Sequence, residues 1–208
     1  MSAPTHPAGT VAEHLHQHGY ALLPQGPAEQ FYEVAQRLGP IGEQADVKVE
    51  RSRTLLSSNA PMPFHTDGPE AHIVGWWCAR SAAPYGQSLL LDTATLADEL
   101  DASHVDTLTT TMLLHPLGSG RLGFHPCLTR TGDGQRLYYS PWHLLDDYTT
   151  DEQTALAALE AYLRSLPPIV VQLLDGQSLF IDNGRILHAR TAFPLESGRH
   201  LQRVWIGR

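Results

Sequence analysis

Turn residues divide the last forty or so residues of the chain into short apolar segments, and this pattern limits the fold more than any other feature. Four segments have the length and aliphatic content of strands: residues 169–174, 178–181, 185–191 and 199–206. The sequence Asp182-Asn183-Gly184 is a strong tight-turn signal between the second and the third. We therefore expect the end of the chain to be β-rich.

The earlier part of the chain alternates between helical and extended patterns. Helices are predicted at 11–18, 27–38, 93–114 (as one or two helices) and 150–166, the last with Thr150 as its cap. Strands are predicted at 20–23, 46–57, 72–79 and 88–92, and a hairpin at 124–130 and 136–140. Helices, strands, a helical insert and more strands fit a jelly roll of two sheets with flanking helices. We expect a flexible tail at 1–10 and a single domain at 11–208.

Composition limits the partners and the location of the protein. The 208 residues carry a formal net charge of −8 and contain no block of Lys or Arg, which argues against nucleic-acid and anionic-membrane binding. No signal-peptide pattern and no run of 18 apolar residues occurs, so we expect a soluble, cytoplasmic protein. Cys78 and Cys127 are the two cysteines, and a disulfide between them stays open at this stage. The sequence does not indicate the oligomeric state.

The strongest local signal for a functional site is Phe64-His65-Thr66-Asp67-Gly68. In an extended segment, residues i and i+2 point to the same side, so His65 and Asp67 aim an imidazole and a carboxylate at one point. Two histidines and one carboxylate on one face form the facial triad of non-haem iron(II) oxygenases. The best candidate for the second histidine is His188, which follows the predicted Asp182-Asn183-Gly184 hairpin turn.

The last predicted strand places two arginines on one face. Residues 199, 201, 203 and 205 share a face that carries Arg199 and Arg203, and the opposite face carries His, Gln, Val and Ile. If the first face points inward, each guanidinium needs a carboxylate partner, which a bound dicarboxylate could supply. The alternative, that Val204 and Ile206 point inward instead, is equally compatible with this strand.

Taken together, these motifs resemble the iron(II)/2-oxoglutarate dioxygenases of the taurine dioxygenase and clavaminate synthase type. The resemblance rests on the His65-x-Asp67 motif, on Tyr85-Gly86-Gln87-Ser88-Leu89, and on Asp182 through Phe193. Arg199-x-x-x-Arg203 begins eleven residues after His188, as the closing arginine pair does in that family. The family fold is a distorted double-stranded β-helix, a mainly β jelly roll of the cupin type.

The resemblance implies a role for each matching residue. His65, Asp67 and His188 would be the catalytic metal ligands, and Arg199 with Ser88 would bind 2-oxoglutarate. Arg203, Asn59 and Tyr138 are the candidate substrate-binding residues. The implied cofactors are Fe(II), 2-oxoglutarate and O₂, and the implied partner is a small anionic or amino-acid-like molecule. Its C–H bond would be oxidised, by hydroxylation in the default case, while 2-oxoglutarate is decarboxylated to succinate and CO₂.

Two other classes of protein are compatible with parts of this pattern. A zinc hydrolase could use His-x-Asp with a distant histidine, but it has no need of an inward Arg199 beside Ser88. A jelly-roll binding protein that has lost turnover would keep the fold, but loss of activity usually removes a metal ligand, and the triad is intact.

Overall fold

The computed structural model describes residues 11–48, 58–117, 121–132 and 134–207, and these form two facing β-sheets with helices outside them. The predicted tail at 1–10 lies outside the described residues. The helices are α1 (Val11–His18), α2 (Ala28–Leu38), α3 (Leu96–Glu99), α4 (Ala102–Leu108) and α5 (Thr150–Ser165). The strands are β1 (Tyr20–Leu23), β2 (Ile41–Lys48), β3 (Met62–His65), β4 (Ile73–Arg80), β5 (Ser88–Asp92), β6 (Met112–Pro116), β7 (Leu122–Pro126), β8 (Leu128–Thr131), β9 (Gly134–Leu137), β10 (Ile169–Val171), β11 (Ser178–Asp182), β12 (Ile186–Arg190) and β13 (His200–Ile206).

The two main sheets confirm the expected jelly roll. Five strands pair in the order β1-β11-β4-β13-β2, and four pair in the order β10-β5-β12-β3, with antiparallel neighbours throughout. Aliphatic and aromatic side chains from both sheets, among them Val74, Trp76, Leu90, Leu179 and Ile186, meet between them as a buried core. Burial of this apolar surface is the main stabilising contribution to the sandwich.

Strand β13 is buried on both faces, which settles the alternative that its alternation left open. Arg199, just before the strand, and Leu201 and Arg203 line a cavity between the two sheets. Val204 and Ile206 on the opposite face pack in a second cluster with residues of α1 and α2. Helix α2 covers the outside of the five-stranded sheet, so both faces of β13 are in the interior.

The segment between β5 and α5 differs from its predicted structure. The helical prediction for 93–114 is right for α3 and α4 but wrong for its last residues, because Met112–Pro116 is a strand that pairs with β7. The predicted hairpin at 124–130 and 136–140 is divided: its first part belongs to β7, while β8 and β9 pair across 132–133. Pairing with the next strand decided these elements, and the residue pattern within one segment does not reveal it.

Three smaller predictions also need correction. The strand predicted at 46–57 begins earlier, at Ile41, and its residues 49–57 lie outside the described part of the chain. The turn at Asp182-Asn183-Gly184 does not close a hairpin, because β11 and β12 lie in different sheets. Helix α5 is capped by Thr149, not Thr150: Thr149 and Glu152 form a reciprocal capping box.

The structure shows the state of the two cysteines and the character of the helices. Cys78 and Cys127 are both buried and both free, so they form no disulfide with each other. Burial raises the pKa of each thiol to about 12, which keeps them protonated and unreactive. None of the helices in the described residues is long and apolar enough to cross a membrane.

Candidate active site

Two histidines from neighbouring strands face each other beside the cavity between the sheets. His65 is the last residue of β3, and His188 lies in the middle of β12, where the two are direct antiparallel partners. Their rings are 4.2 Å apart between centroids, and both side chains are buried. Cross-strand partners share a face of the sheet, so register alone brings these imidazoles together.

Asp67 completes the group from just beyond the end of β3. Its Oδ1 lies 3.8 Å from Nε2 of His65 and 3.9 Å from Nε2 of His188. One potential ligand atom from each of the three residues lies within 4.8 Å of the other two. The structure therefore brings together the three residues that the sequence nominated as metal ligands.

The side chain of Asn183 fixes the backbone that carries Asp67. Its Oδ1 accepts from the Asp67 amide at 2.8 Å, and its Nδ2 donates to the carbonyls of Ala71 (2.8 Å), Gly68 (3.2 Å) and Asp67 (3.3 Å). Residues 66–68 belong to no strand, so this buried amide replaces the missing ladder. The sequence marked Asn183 as a turn residue and as part of the family motif but gave it no role, because its partners are more than a hundred residues away.

The carboxylate of Asp67 is held by two donors and faces the two histidines. Oδ2 accepts from the indole Nε1 of Trp205 at 2.8 Å and from NH1 of Arg203 at 3.2 Å. Oδ1 accepts from the same NH1 at 3.4 Å and faces the histidines. Burial opposes ionisation of this carboxyl, but the Arg203 guanidinium and the hydrogen bond from Trp205 favour the carboxylate, and its pKa lies below the ordinary value. Asp67 is therefore an ionised ligand that is already oriented.

The protonation of the histidines also suits a metal ion. Burial, then the neighbouring His65, lowers the pKa of His188 to about 3, and burial lowers the pKa of His65 as well. Nδ1 of His65 lies 2.9 Å from the carbonyl of Pro63, to which it must donate, so the lone pair is on Nε2. Neutral imidazoles with a free Nε2 and one carboxylate are the donor set that iron(II) takes in a facial triad.

An inner cavity between the sheets extends from the triad to a buried guanidinium. Arg199 and Ser88 line this cavity together with His65, Asp67 and His188. Arg199 has no carboxylate partner among the described residues, and burial, then the nearby Arg190, lowers its pKa to about 10. It remains a cation at neutral pH, so a buried cation facing a cavity fits the carboxylate of 2-oxoglutarate.

Arg190 adds another buried guanidinium to the inner cavity. Its NH2 donates to the carbonyls of Ser58 (2.6 Å) and Ala60 (2.8 Å). The centroid of the Phe193 ring lies 5.0 Å from Cζ of Arg190 and 5.3 Å from Cζ of Arg199. The sequence placed Arg190 in the family motif without a role. The cavity wall thus holds three guanidinium groups: Arg203 is paired with carboxylates, Arg190 is bonded to the backbone, and Arg199 has neither kind of partner among the described residues.

The three candidate substrate residues lie in different surroundings. Arg203 donates to Asp67 and, through NH2, to Glu43 at 2.6 Å. Asn59 donates its amide to the carbonyl of Phe193 at 3.2 Å and lines neither cavity described here. Tyr138 lies near the metal ligands, where its hydroxyl donates to the carbonyl of Leu114 at 2.7 Å and lies 2.9 Å from Nδ1 of His143.

An outer pocket opens on the other side of the triad. Four residues, Met62, His65, Asp67 and Arg203, line both cavities, so two members of the triad lie between them. The remaining lining comes from β2, the Thr66–Gly68 loop, β6 and the segment 138–143, and from the end of β13: Glu43, Thr66, Gly68, His115, Pro116, Tyr138, Ser140, Trp142, His143 and Trp205. Most of these residues could not be assigned to a site from the sequence, because they lie outside the motifs that it contains.

Comparison with known proteins gives a family and a set of similar structures. Residues 2–205 match the family model described as "Taurine catabolism dioxygenase TauD, TfdA family". No curated protein sequence matches the chain. A structure of asparagine oxygenase with Fe(II), 2S,3S-3-hydroxyasparagine and succinate is similar at a TM-score of 0.77 and 18% identity, over 96% of this chain and 78% of that one.

Two further structures have the same fold. The non-haem iron oxygenase OrfP, in complex with Fe and α-ketoglutaric acid, has a TM-score of 0.76 and 19% identity over 97% of this chain and 80% of its own. PvcB from Pseudomonas aeruginosa has a TM-score of 0.68 and 20% identity over 96% and 80%. At these identities the similarity establishes the shared fold.

Proposed function

Because the chain belongs to the TauD/TfdA family of dioxygenases, we propose that it hydroxylates a C–H bond of a small anionic or amino-acid-like molecule. Family membership confirms the expected enzyme class, a 2-oxoglutarate-dependent dioxygenase with Fe(II), 2-oxoglutarate and O₂ as cofactors. The observation that carries the proposal is the triad of His65, Asp67 and His188 at one end of a cavity whose wall holds the unpaired cation Arg199.

The residues of the chain divide the work between two sides of the triad. His65, Asp67 and His188 would hold iron on one face and leave its other positions open. Arg199 would pair with the distal carboxylate of 2-oxoglutarate in the inner cavity, with the Ser88 hydroxyl as a further donor. The oxidising chemistry belongs to bound iron(II) and 2-oxoglutarate, which is converted with O₂ to succinate and CO₂.

The substrate would enter through the outer pocket. Trp142 lies against His65 at 4.9 Å between ring centroids, and its indole helps to cover the triad on that side. Trp205 and Arg203 hold Asp67 from the same side, so a substrate meets a rigid wall. Such a pocket positions one C–H bond and keeps solvent from the reacting centre.

Two similar structures contain amino-acid products, which supports an amino-acid-like substrate. Asparagine oxygenase is seen with hydroxyasparagine, and OrfP is seen with (3S)-hydroxy-L-Arg. Both are distant relatives, so they indicate a substrate class and not a particular amino acid.

Anaerobic titration of the iron(II)-loaded protein with 2-oxoglutarate tests the proposal. We expect a weak visible charge-transfer band in the wild type. In Arg199→Met the dissociation constant should rise about 30-fold or more, the effect of roughly 2 kcal/mol or more when a buried charge pair loses one partner. Arg37→Met is the matched control, because Arg37 is an exposed arginine on α2.

The outcomes separate the proposal from its alternatives. No band in protein shown to contain iron would contradict the proposal and favour a zinc hydrolase or a binding protein. An equal change in Arg199→Met and Arg37→Met would remove Arg199 from the site. With the band established, a product 16 Da heavier than its substrate in mass spectrometry, formed with equimolar succinate, would demonstrate hydroxylation.

A further inference from the structure

The outer pocket has no arginine or lysine left for an anionic substrate group. Among the described residues that line it, Arg203 is the one arginine, and there is no lysine. Its NH1 donates to Asp67 and its NH2 to Glu43, so both ends of the guanidinium fork already face carboxylates. A substrate carboxylate would have to displace one of these partners and leave it uncompensated.

A third carboxylate, Glu70, lies beside the same pocket, next to the lining residues Gly68 and His115. Oε2 of Glu70 is so close to the Gly68 backbone that a Cβ added there would lie 2.7 Å from it, and Gly68 lines the pocket directly after Asp67. The charge of Glu70, after burial, also raises the pKa of Tyr138, another residue that lines the pocket. The carboxylate is therefore adjacent to the pocket, although half of its side chain is exposed.

The partner of Glu70 is a buried histidine and not a strong cation. Nε2 of His115 lies 3.4 Å from Oε2 of Glu70, and no arginine or lysine within the described ranges pairs with this carboxylate. His115 is 8% exposed, lines the pocket, and packs against the rings of Tyr138 and His125. It can orient one oxygen of Glu70 while the remaining lone pairs stay available for a ligand.

The charges of the outer pocket are thus unequal. Arg203 is balanced by Glu43 and Asp67, whereas Glu70 has only an imidazole beside it. A pocket with an uncompensated carboxylate beside it attracts cations and repels anions. Within the proposed function, this favours the amino-acid-like substrates over the purely anionic ones.

We propose that the substrate carries a cationic nitrogen, an ammonium or guanidinium group, and that Glu70, oriented by His115, is its counter-ion in the outer pocket. The inference rests on the proposed function, since it describes the substrate of that site. Bound there, the cation lies on the side of the triad opposite to Arg199. The two ends of the active site would then select opposite charges: a dicarboxylate inside and an amine outside.

The test compares amino acids in matched forms with the iron(II)- and 2-oxoglutarate-loaded protein. Asparagine, leucine, lysine and arginine are each used free, with every cationic nitrogen neutralised (N-acetylated, or as the citrulline derivative for arginine), and as the carboxyl amide. Binding is measured anaerobically from the change in the charge-transfer band, and turnover is measured separately from succinate. Glu70→Gln removes the charge, Glu70→Asp keeps it, and Glu29→Gln, at an exposed position on α2, is the control.

We expect at least one free amino acid to bind, neutralisation of its nitrogen to weaken binding ten-fold or more, and amidation to change it little. Glu70→Gln should weaken binding of the free form by about ten-fold, with Glu70→Asp between it and the wild type, and should leave 2-oxoglutarate affinity unchanged. Neutralised forms that bind as well as free ones, a Glu70→Gln variant equal to Glu29→Gln, or no response to any amine would each overturn the inference. In all of those outcomes an intact charge-transfer band would leave the proposed function standing, whereas its absence would contradict that function itself.

Discussion

Two arginines four residues apart near one end of the chain have opposite surroundings. Arg203 lies between the carboxylates of Asp67 and Glu43, which it reaches at 3.2 and 2.6 Å. Arg199 faces the inner cavity and is as buried as Arg203, but it has no carboxylate partner among the described residues. One cation is part of the folded framework, and the other is available to a ligand.

This difference shows how β13 and the residue before it supply both a structural cation and a ligand-binding cation. A buried charge costs several kcal/mol unless it is compensated, so Arg203 is satisfied by folding and Arg199 only by binding. The uncompensated charge is the destabilised part of the site, and it is the part that gives selectivity for a dicarboxylate. The free energy of unfolding of the metal-free protein, compared between variants of the two arginines, measures this contrast.

The largest effect is expected for Arg203→Met. The substitution leaves the buried Asp67 carboxylate without its guanidinium, so the free energy of unfolding should fall by roughly 3 kcal/mol. Urea denaturation at pH 7 measures it. Arg203→Lys keeps the charge but not the two-pronged fork, so it should lose less.

The matched substitution Arg199→Met sharpens the contrast, because we expect the opposite sign. Removing an unpaired buried cation should raise the free energy of unfolding of the metal-free protein by about 1 kcal/mol or more. Iron and 2-oxoglutarate should then stabilise the variant less than they stabilise the wild type. A loss of stability as large as that of Arg203→Met would mean that Arg199 has a structural partner after all.

The next effect concerns acidification and acts through His188, which lines the inner cavity together with Arg199. His188 has a pKa of about 3 in the folded protein, held down by burial first and then by His65, against about 6.5 when unfolded. Between these values only the unfolded chain binds the proton, so stability falls as the pH falls below 6.5. At pH 5 this histidine alone should account for a loss of about 2 kcal/mol.

Urea denaturation of the metal-free protein at pH 7 and pH 5 measures this loss. The variant His188→Gln has no titrating group at that position, so its stability should fall by about 2 kcal/mol less over the same range. Equal losses in the variant and the wild type would show that His188 does not carry the proton linkage.

The contrast between the arginines also shows which parts of the site the sequence could predict. Period-2 alternation placed Arg199 and Arg203 on one face, and short-range motifs nominated His65, Asp67 and His188, which the structure brings together. The sequence could not show which face of β13 points inward or which arginine is paired. The partners of Arg203 are 136 and 160 residues away, and such contacts leave no local pattern.

The outer pocket was hardest to predict, for a related reason. Strand β6 follows a threonine-rich helix end, and its first residues fall in the helix predicted at 93–114. Pairing with β7 makes the segment a strand that carries His115 to the pocket. The turn at Asp182-Asn183-Gly184 was predicted, but the Asn183 side chain that fixes Asp67 was not. Elements marked by turn residues, by alternation or by a family motif were predictable. Elements that depend on pairing with another strand were not.

The smallest effect on stability is expected for Trp205→Phe, which isolates the orientation of Asp67 from its charge. Phenylalanine keeps an aromatic ring beside the Arg203 guanidinium, now 5.0 Å from the indole, but it removes the Nε1–H that donates to Asp67 Oδ2. Because Arg203 still bonds that oxygen, the free energy of unfolding should fall by only about 1 kcal/mol. Iron affinity should fall by roughly 10- to 100-fold, since the carboxylate is no longer held in its ligating orientation.

Trp77→Phe is the control for the loss of iron affinity expected in Trp205→Phe. Its indole donates to the carbonyl of Gly26 at 3.0 Å on the other face of the five-stranded sheet, so the variant also loses one indole hydrogen bond. Its stability should fall by a similar amount, while its iron affinity, measured by competition with a chelator, should equal that of the wild type. If both variants bind iron equally well, Trp205 contributes packing only, and Arg203 alone orients Asp67. If only Trp205→Phe loses affinity, the hydrogen bond from Trp205 orients Asp67 for the metal.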